Sequence, residues 1–158
     1  KAGDISIRPF QPGDEDAFRC LNEEWIAHYF RIEPKDEKML ADPRRTILDP
    51  GGRILFATVG GRGVGCCALI RLGDREFEVA KMAVTLACQG AGIGRKLLAA
   101  VIETGRNLGA RRLYLETNHA LQTAIQLYES LGFTHIPPSR ITPSPYARAD
   151  VYMELILH

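Results

Sequence analysis

Six residues, Gln89-Gly90-Ala91-Gly92-Ile93-Gly94, separate an apolar, β-prone stretch from an amphipathic helical one, and Arg95 and Lys96 follow at once. Glycines let the main chain approach a ligand closely and turn its N–H groups inward, while a helix start adds unpaired donors and roughly half a positive charge. A pyrophosphate suits such a nest. First turns of helices usually carry acidic side chains, so the basic pair here fits a bound anion. Two nucleotide loops fail at named positions. A P-loop needs G-x-x-x-x-G-K-S/T, whereas Gly94 is followed by Arg95, and Leu97 rather than a hydroxyl follows Lys96. The dinucleotide fingerprint G-x-G-x-x-G needs a third glycine where Leu97 stands. A loop that only turns a strand into a helix is the alternative without chemistry.

The elements around this loop follow from periodicity. Ile5 and Ile7 place a strand at about 4–9, closed by Pro9 and Pro12, and Asp14 stands where an N-cap would open a helix. Phe18, Leu21, Trp25, Ile26 and Tyr29 then recur at spacings of three and four up to about Phe30, one face of an amphipathic helix. A second short helix is expected after Asp36, and the stretch 42–52, with Pro43, Pro50 and Gly51-Gly52, reads as punctuation. Runs 53–59 and 64–72 flank Gly60-Gly61-Arg62-Gly63 as an antiparallel hairpin, and 76–85 forms a third strand. Ile93, Leu97, Leu98, Val101, Ile102 and Leu108 follow a helical period that Gly109 terminates. A strand at 112–117, a helix at 121–131 ended by Gly132, a strand beginning at 133–136, a Pro-rich loop at 137–145 and a last strand at 150–157 complete the chain. This order argues for a mixed sheet flanked by helices.

With these elements assigned, Gln89-Gly90-Ala91-Gly92-Ile93-Gly94 resembles the Q/R-x-x-G-x-G/A loop of the GNAT superfamily of N-acetyltransferases. Lys81-Met82-Ala83-Val84 is similar to the end of that family's fourth strand, and Leu127-Tyr128-Glu129-Ser130-Leu131-Gly132-Phe133 to its Y-x-x-x-G-F helix end. The similarity is strong from about 53 to 135. It implies an α/β (α+β) fold with a mixed, mostly antiparallel central sheet and helices on both faces. It also implies acetyl-CoA as cosubstrate, with no metal, and transfer of the acetyl group to a primary amine.

In that family the fourth and fifth strands splay apart, and the pantetheine arm pairs with main-chain groups between them. Met82, Ala83 and Val84 would serve here, with Gln89, Gly90, Ala91, Gly92, Ile93, Gly94 and Arg95 holding the pyrophosphate. The resemblance makes Glu78 the candidate general base, with a solvated strand residue or a partner of Lys81 as the alternatives. It makes Tyr128 the proton donor to the sulfur, although its place three residues after Ile125 also fits a core aromatic. Asn118 is read as the N-cap of the following helix and as a contact to the pantetheine arm. His119 beside it is an exposed histidine or a proton relay. The acceptor pocket would draw on Trp25, His28, Tyr29, Phe30 and Glu33 from one segment and on Tyr146, Arg148 and Asp150 from another. Carboxylates and aromatics there would hold a cationic amine, or Arg148 an acceptor's carboxylate. Core packing competes for Trp25 and Tyr29, which lie on the helix's apolar stripe.

The chain has 158 residues, 46% hydrophobic and 25% charged, the balance of one globular domain over 1–158. Twenty basic residues against nineteen acidic ones, without long like-charged blocks, give no pull towards nucleic acid or membrane. Cys20, Cys66, Cys67 and Cys88 lack C-x-x-C spacing, which fits reduced thiols in a cytoplasmic setting. The opening Lys1-Ala2-Gly3-Asp4 lacks an apolar h-region, and no apolar run approaches membrane-spanning length. Pairing of two subunits through the C-terminal strands is left open. A non-catalytic acyl-CoA-binding module, which would dispense with acid and base, and a dinucleotide-binding protein are the competing readings.

Overall fold

The computed structural model describes residues 4–158, so the Lys1-Ala2-Gly3 start lies outside the described residues. Among the described residues seven strands, β1 (Ile5–Pro9), β2 (Arg53–Val59), β3 (Arg62–Gly73), β4 (Glu76–Val84), β5 (Arg112–Thr117), β6 (Thr134–His135) and β7 (Val151–Ile156), form one sheet in the order β1-β2-β3-β4-β5-β7-β6. Every neighbouring pair is antiparallel except β4 with β5. Helices α1 (Glu15–Tyr29) and α2 (Pro34–Ala41) pack on one face, and α3 (Ile93–Asn107) and α4 (Gln122–Ser130) on the other. Strand residues alternate between these two cores. Cys66 joins Phe18, Ile26 and Leu40 under α1 and α2, while its neighbour Cys67 joins Leu97, Val101 and Tyr128 under α3 and α4. All four cysteines are unpaired. Among the described residues no helix is long and apolar enough to cross a membrane.

Several local readings are refined by the backbone. The hairpin turn shrinks to Gly60 and Gly61, both left-handed at φ 59° and 78°, because β3 already begins at Arg62; two such residues give the turn whose twist matches the strands. Helix α2 starts at Pro34 rather than after Asp36. Glu33 is its N-cap, and Asp36, at the third helical position, accepts the Glu33 N–H to close a capping box. Asp14 occupies the N-cap place of α1, but its carboxylate pairs with Arg8 at 2.7 and 3.0 Å and accepts the Gln11 N–H instead. Asn118 does not cap α4. Its Oδ1 accepts the Ala120 N–H, its Nδ2 donates to the Arg148 carbonyl, and Leu121 holds the cap position one turn later. The stretch read as punctuation contains a π-helical turn, Arg44–Leu48, that buries Ile47. Gly52 is held between this turn and β3: a Cβ there would lie 2.6 Å from the Ile47 carbonyl oxygen and 2.3 Å from that of Leu69.

Candidate active site

Strands β4 and β5 pair only where Glu76, Phe77 and Glu78 face Arg112, Leu113 and Tyr114. Past Glu78, β4 stays with β3 as far as Val84, and β5 stays with β7 as far as Thr117. The strands part, and a cleft of about 850 Å³ opens between them, bordered also by α1, the loop after β4, the β5–α4 connection and Tyr146 and Arg148. That volume suits a cosubstrate-sized ligand.

The glycine-rich loop forms one border. A short 3₁₀ turn, Leu86–Cys88, leads to Gly90 and Gly92, which take φ 88° and 80°; Gly92 is the N-cap of α3. Left-handed backbone of this kind is natural to glycine. Gly94 is already helical, and a Cβ there would meet Leu127 at an ordinary 3.6 Å, so its backbone does not require glycine. The opening N–H groups of α3 have no intrahelical acceptors, and its first turn holds no acidic side chain. This arrangement fits a pyrophosphate. Gln89 accepts from the Tyr29 hydroxyl at 3.3 Å and donates to the Val84 carbonyl at 3.4 Å, and Arg95 donates to Ser130 Oγ at 2.9 Å. Met82, Val84, Gln89, Gly90, Gly92, Ile93, Gly94, Arg95 and Asn118 all border the cleft. Ala83 does not: its side chain is buried beneath α1, and Ala91 also stands off the cleft.

Glu78 is the last residue of β4 paired with β5, and it borders the cleft. It is not the partner of Lys81, which is bound elsewhere. Burial pushes the Glu78 carboxyl up to about 7, and the charge of Glu116 adds to this against the pull of Lys81 and Lys35. Glu116 escaped the sequence reading. It lies on β5 two residues beyond Tyr114, on the same side of the strand, and accepts hydrogen bonds from Tyr114 at 2.9 Å and Ser144 at 2.5 Å. Tyr128 packs on Phe133 at 6.0 Å in the core under α3 and α4, as the core reading expects, and also borders the cleft from α4. Burial, with Cys67 nearby, pushes its phenol up, so the group stays protonated and carries a proton at the cleft. His119 is exposed, bound to Asp150 at 2.5 Å, and does not border the cleft.

Trp25, Tyr29 and Phe30 form an aromatic wall at the cleft, with Trp25 and Tyr29 at 5.0 Å; Trp25 and Phe30 are half-buried and also pack against the core under α1, as the core reading of Trp25 expects, whereas Tyr29 is 39% exposed. Opposite stand Tyr146 and Arg148. Arg148 grips Asp36 with two hydrogen bonds of 2.6 and 2.7 Å, and Lys81 reaches the same carboxylate at 2.6 Å and the Tyr146 hydroxyl at 3.1 Å. Asp36 is fully buried. Burial alone would raise its carboxyl, but hydrogen bonds from Arg148, Lys81 and the Glu33 N–H hold it down to about 2. Nothing in the capping pattern around Asp36 betrayed these distant partners, because they come from β4 and from the loop before β7. Among the described residues no group of three or more potential metal ligands stands together.

The acetyltransferase (GNAT) family model matches residues 16–133. Mycothiol acetyltransferase of Pseudarthrobacter chlorophenolicus is 34% identical over 137 residues, which cover 82% of this chain but only 42% of that protein's length. The uncharacterized N-acetyltransferase YjgM of Escherichia coli is 46% identical over 126 residues, covering 70% of this chain and 75% of its own. Among solved structures, a GNAT-family acetyltransferase from Staphylococcus aureus superposes with a TM-score of 0.87 at 22% identity, covering 98% of this chain and 100% of the other. The putative acetyltransferase YncA of Salmonella typhimurium, solved with its cofactor acetyl-CoA, gives 0.74 at 23% identity, with 99% and 95% covered. With most of its length matched by the family model and its fold shared with these structures, the chain belongs to the GNAT acetyltransferase family, whose cosubstrate is acetyl-CoA.

Proposed function

We propose that residues 1–158 form a single acyltransferase domain that moves an acetyl group from acetyl-CoA to a primary amine by direct attack. The observation that carries this reading is that Glu78, raised to about 7, and the protonated Tyr128 border the same cleft as the glycine-rich loop. Acetyl-CoA supplies the thioester. The N–H groups at the start of α3 hold its pyrophosphate, and the main chain of Met82 and Val84 holds its pantetheine arm, with Asn118 alongside. Glu78 takes a proton from the acceptor's ammonium, since only the neutral amine attacks, and passes it to solvent. Tyr128 gives its hydroxyl proton to the departing sulfur. The second proton shed by the amide nitrogen returns through solvent to the Tyr128 oxygen, so the enzyme ends as it began.

On the acceptor side the balance of charge favours a cationic amine over a carboxylate-bearing one. Arg148 and Lys81 are both spent on Asp36, whereas the carboxylates of Glu78 and Glu116 border the cleft without a cationic partner among the described residues. Trp25 and Tyr29 would receive the acceptor's apolar body or its cation. Reduced, unpaired cysteines agree with a cytoplasmic setting.

The test is thiol release from acetyl-CoA across a panel of primary amines and peptides. Release is expected with at least one cationic amine, falling about a hundredfold in Tyr128→Phe. Tight acetyl-CoA binding without release on any acceptor would leave a binding module. Protection from thermal unfolding by NAD but not by CoA would overturn the coenzyme assignment.

A further inference from the structure

Among the described residues two without a glycine's freedom take positive φ: Arg75, in the turn between β3 and β4, and Lys81, at 54°, inside a strand. Lys81 and Met82 together face the single Cys67 of β3, so β4 carries one extra residue there, a β-bulge. The bulge lies where β4 has left β5, and both of its residues border the cleft.

We propose that the buried Lys81–Asp36 ion pair is a positioning device for the donor half of the cleft: it holds the bulge in its left-handed turn and so presents the Met82 main chain to the coenzyme arm. A residue with a Cβ enters this backbone region at a cost, and something must hold it there. The Lys81 side chain is 6% exposed and Asp36 is 0%, joined at 2.6 Å. A pair so buried is a poor source of net stability, since apolar replacements often do as well, but it commits both side chains to one geometry. The anchor is itself rigid. Asp36 lies in the first turn of α2 and is held by the Glu33 N–H at 2.9 Å and by both arms of Arg148. Lys81 therefore hangs from a fixed point across the cleft wall, and its backbone follows its side chain. Lys81 acts through the Met82 main chain and is a positioning residue, not a catalytic one.

The inference rests on the acetyl-CoA reading, and its test needs no acceptor. Acetyl-CoA is titrated calorimetrically into the wild type, Lys81→Ala and Lys81→Gly. Both variants lose the ion pair, but only glycine accepts φ 54° freely, so alanine should bind about tenfold more weakly than the wild type and glycine within about twofold. A merely structural lysine predicts the reverse order, because glycine loses the most conformational freedom on folding. If Lys81→Ala is insoluble, Lys81→Asn replaces it. Asparagine keeps a Cβ yet tolerates the left-handed region better, and it should bind about threefold more weakly than Lys81→Gly. Equal affinities for the glycine variant and either comparator, or an alanine variant as tight as the wild type, overturn the inference while leaving coenzyme binding intact. A wild type that does not bind acetyl-CoA overturns both.

Discussion

Replacing Glu116 by glutamine tests whether two carboxylates on neighbouring strands set the proton affinity of the base. The Glu78 carboxyl is pushed up to about 7, first by burial and next by Glu116. At that value about one-tenth of Glu78 is ionised at pH 6 and about nine-tenths at pH 8, so kcat/KM should climb roughly tenfold across the interval. Glutamine keeps the length of Glu116 and can still bond Tyr114 and Ser144, but it removes the like charge that disfavours ionised Glu78. A charge across a partly solvated gap is worth about 1.4 kcal/mol, a factor of ten in proton affinity. About half of Glu78 would then be ionised at pH 6, and the variant would run about fivefold faster there relative to its own plateau. Thiol release is followed from pH 5.5 to 8.5 with one acceptor, whose own titration cancels between the two enzymes. Coincident midpoints, or a wild type without a rise through pH 7, would refute the reasoning.

Two further outcomes bear on the site. Because burial raises the folded-state value of Glu78 above its ordinary 4.5, the group favours the folded state when protonated, and that contribution is lost as pH rises through about 7. Glu78→Gln should therefore gain stability over the wild type between pH 5 and pH 8, by about 1 to 2 kcal/mol after allowing for solvent at the cleft, and denaturant titrations showing a constant gap would contradict the burial argument. Gly92→Ala places a Cβ on a residue at φ 80° and should destabilise the protein by about 1 kcal/mol, whereas Gly94→Ala, helical and with 3.6 Å to Leu127, should not; urea unfolding decides, and equal losses would contradict the distinction.

Much of the architecture was legible because it repeats at short range. The hairpin glycines, the 3.6 period of α3, and Gly109 and Gly132 after their helices are local signals, and the elements stand where those signals placed them. Side-chain roles departed from expectation where other partners were within reach. Asp14 and Asn118 have the chemistry of helix caps; Asp14 keeps the N-cap place but its carboxylate turns to Arg8 and the Gln11 N–H, while Asn118 accepts the Ala120 N–H at Oδ1 and donates through Nδ2 to the Arg148 carbonyl, and no sequence neighbour announces the Arg148 contact. Trp25 and Tyr29 look like core on a helical wheel; Trp25 does pack against the core while bordering the cleft, but Tyr29 is exposed there, because β4 and β5 separate beneath that end of α1.

By itself the sequence determined the glycine-rich loop, the helix behind it and the resemblance that named a coenzyme, since each is a contiguous run whose backbone preferences act locally. It also singled out Glu78 and Tyr128, which the fold brings to one cleft. The tertiary structure alone decided that Glu116 stands near Glu78, that Arg148 is spent on Asp36, and that Lys81 is drawn into a bulge far from helical or strand ideals. Those pairings join residues up to 112 positions apart. Charge and burial act through space, and only the folded chain brings such residues within a few ångströms, where a carboxylate's proton affinity is set.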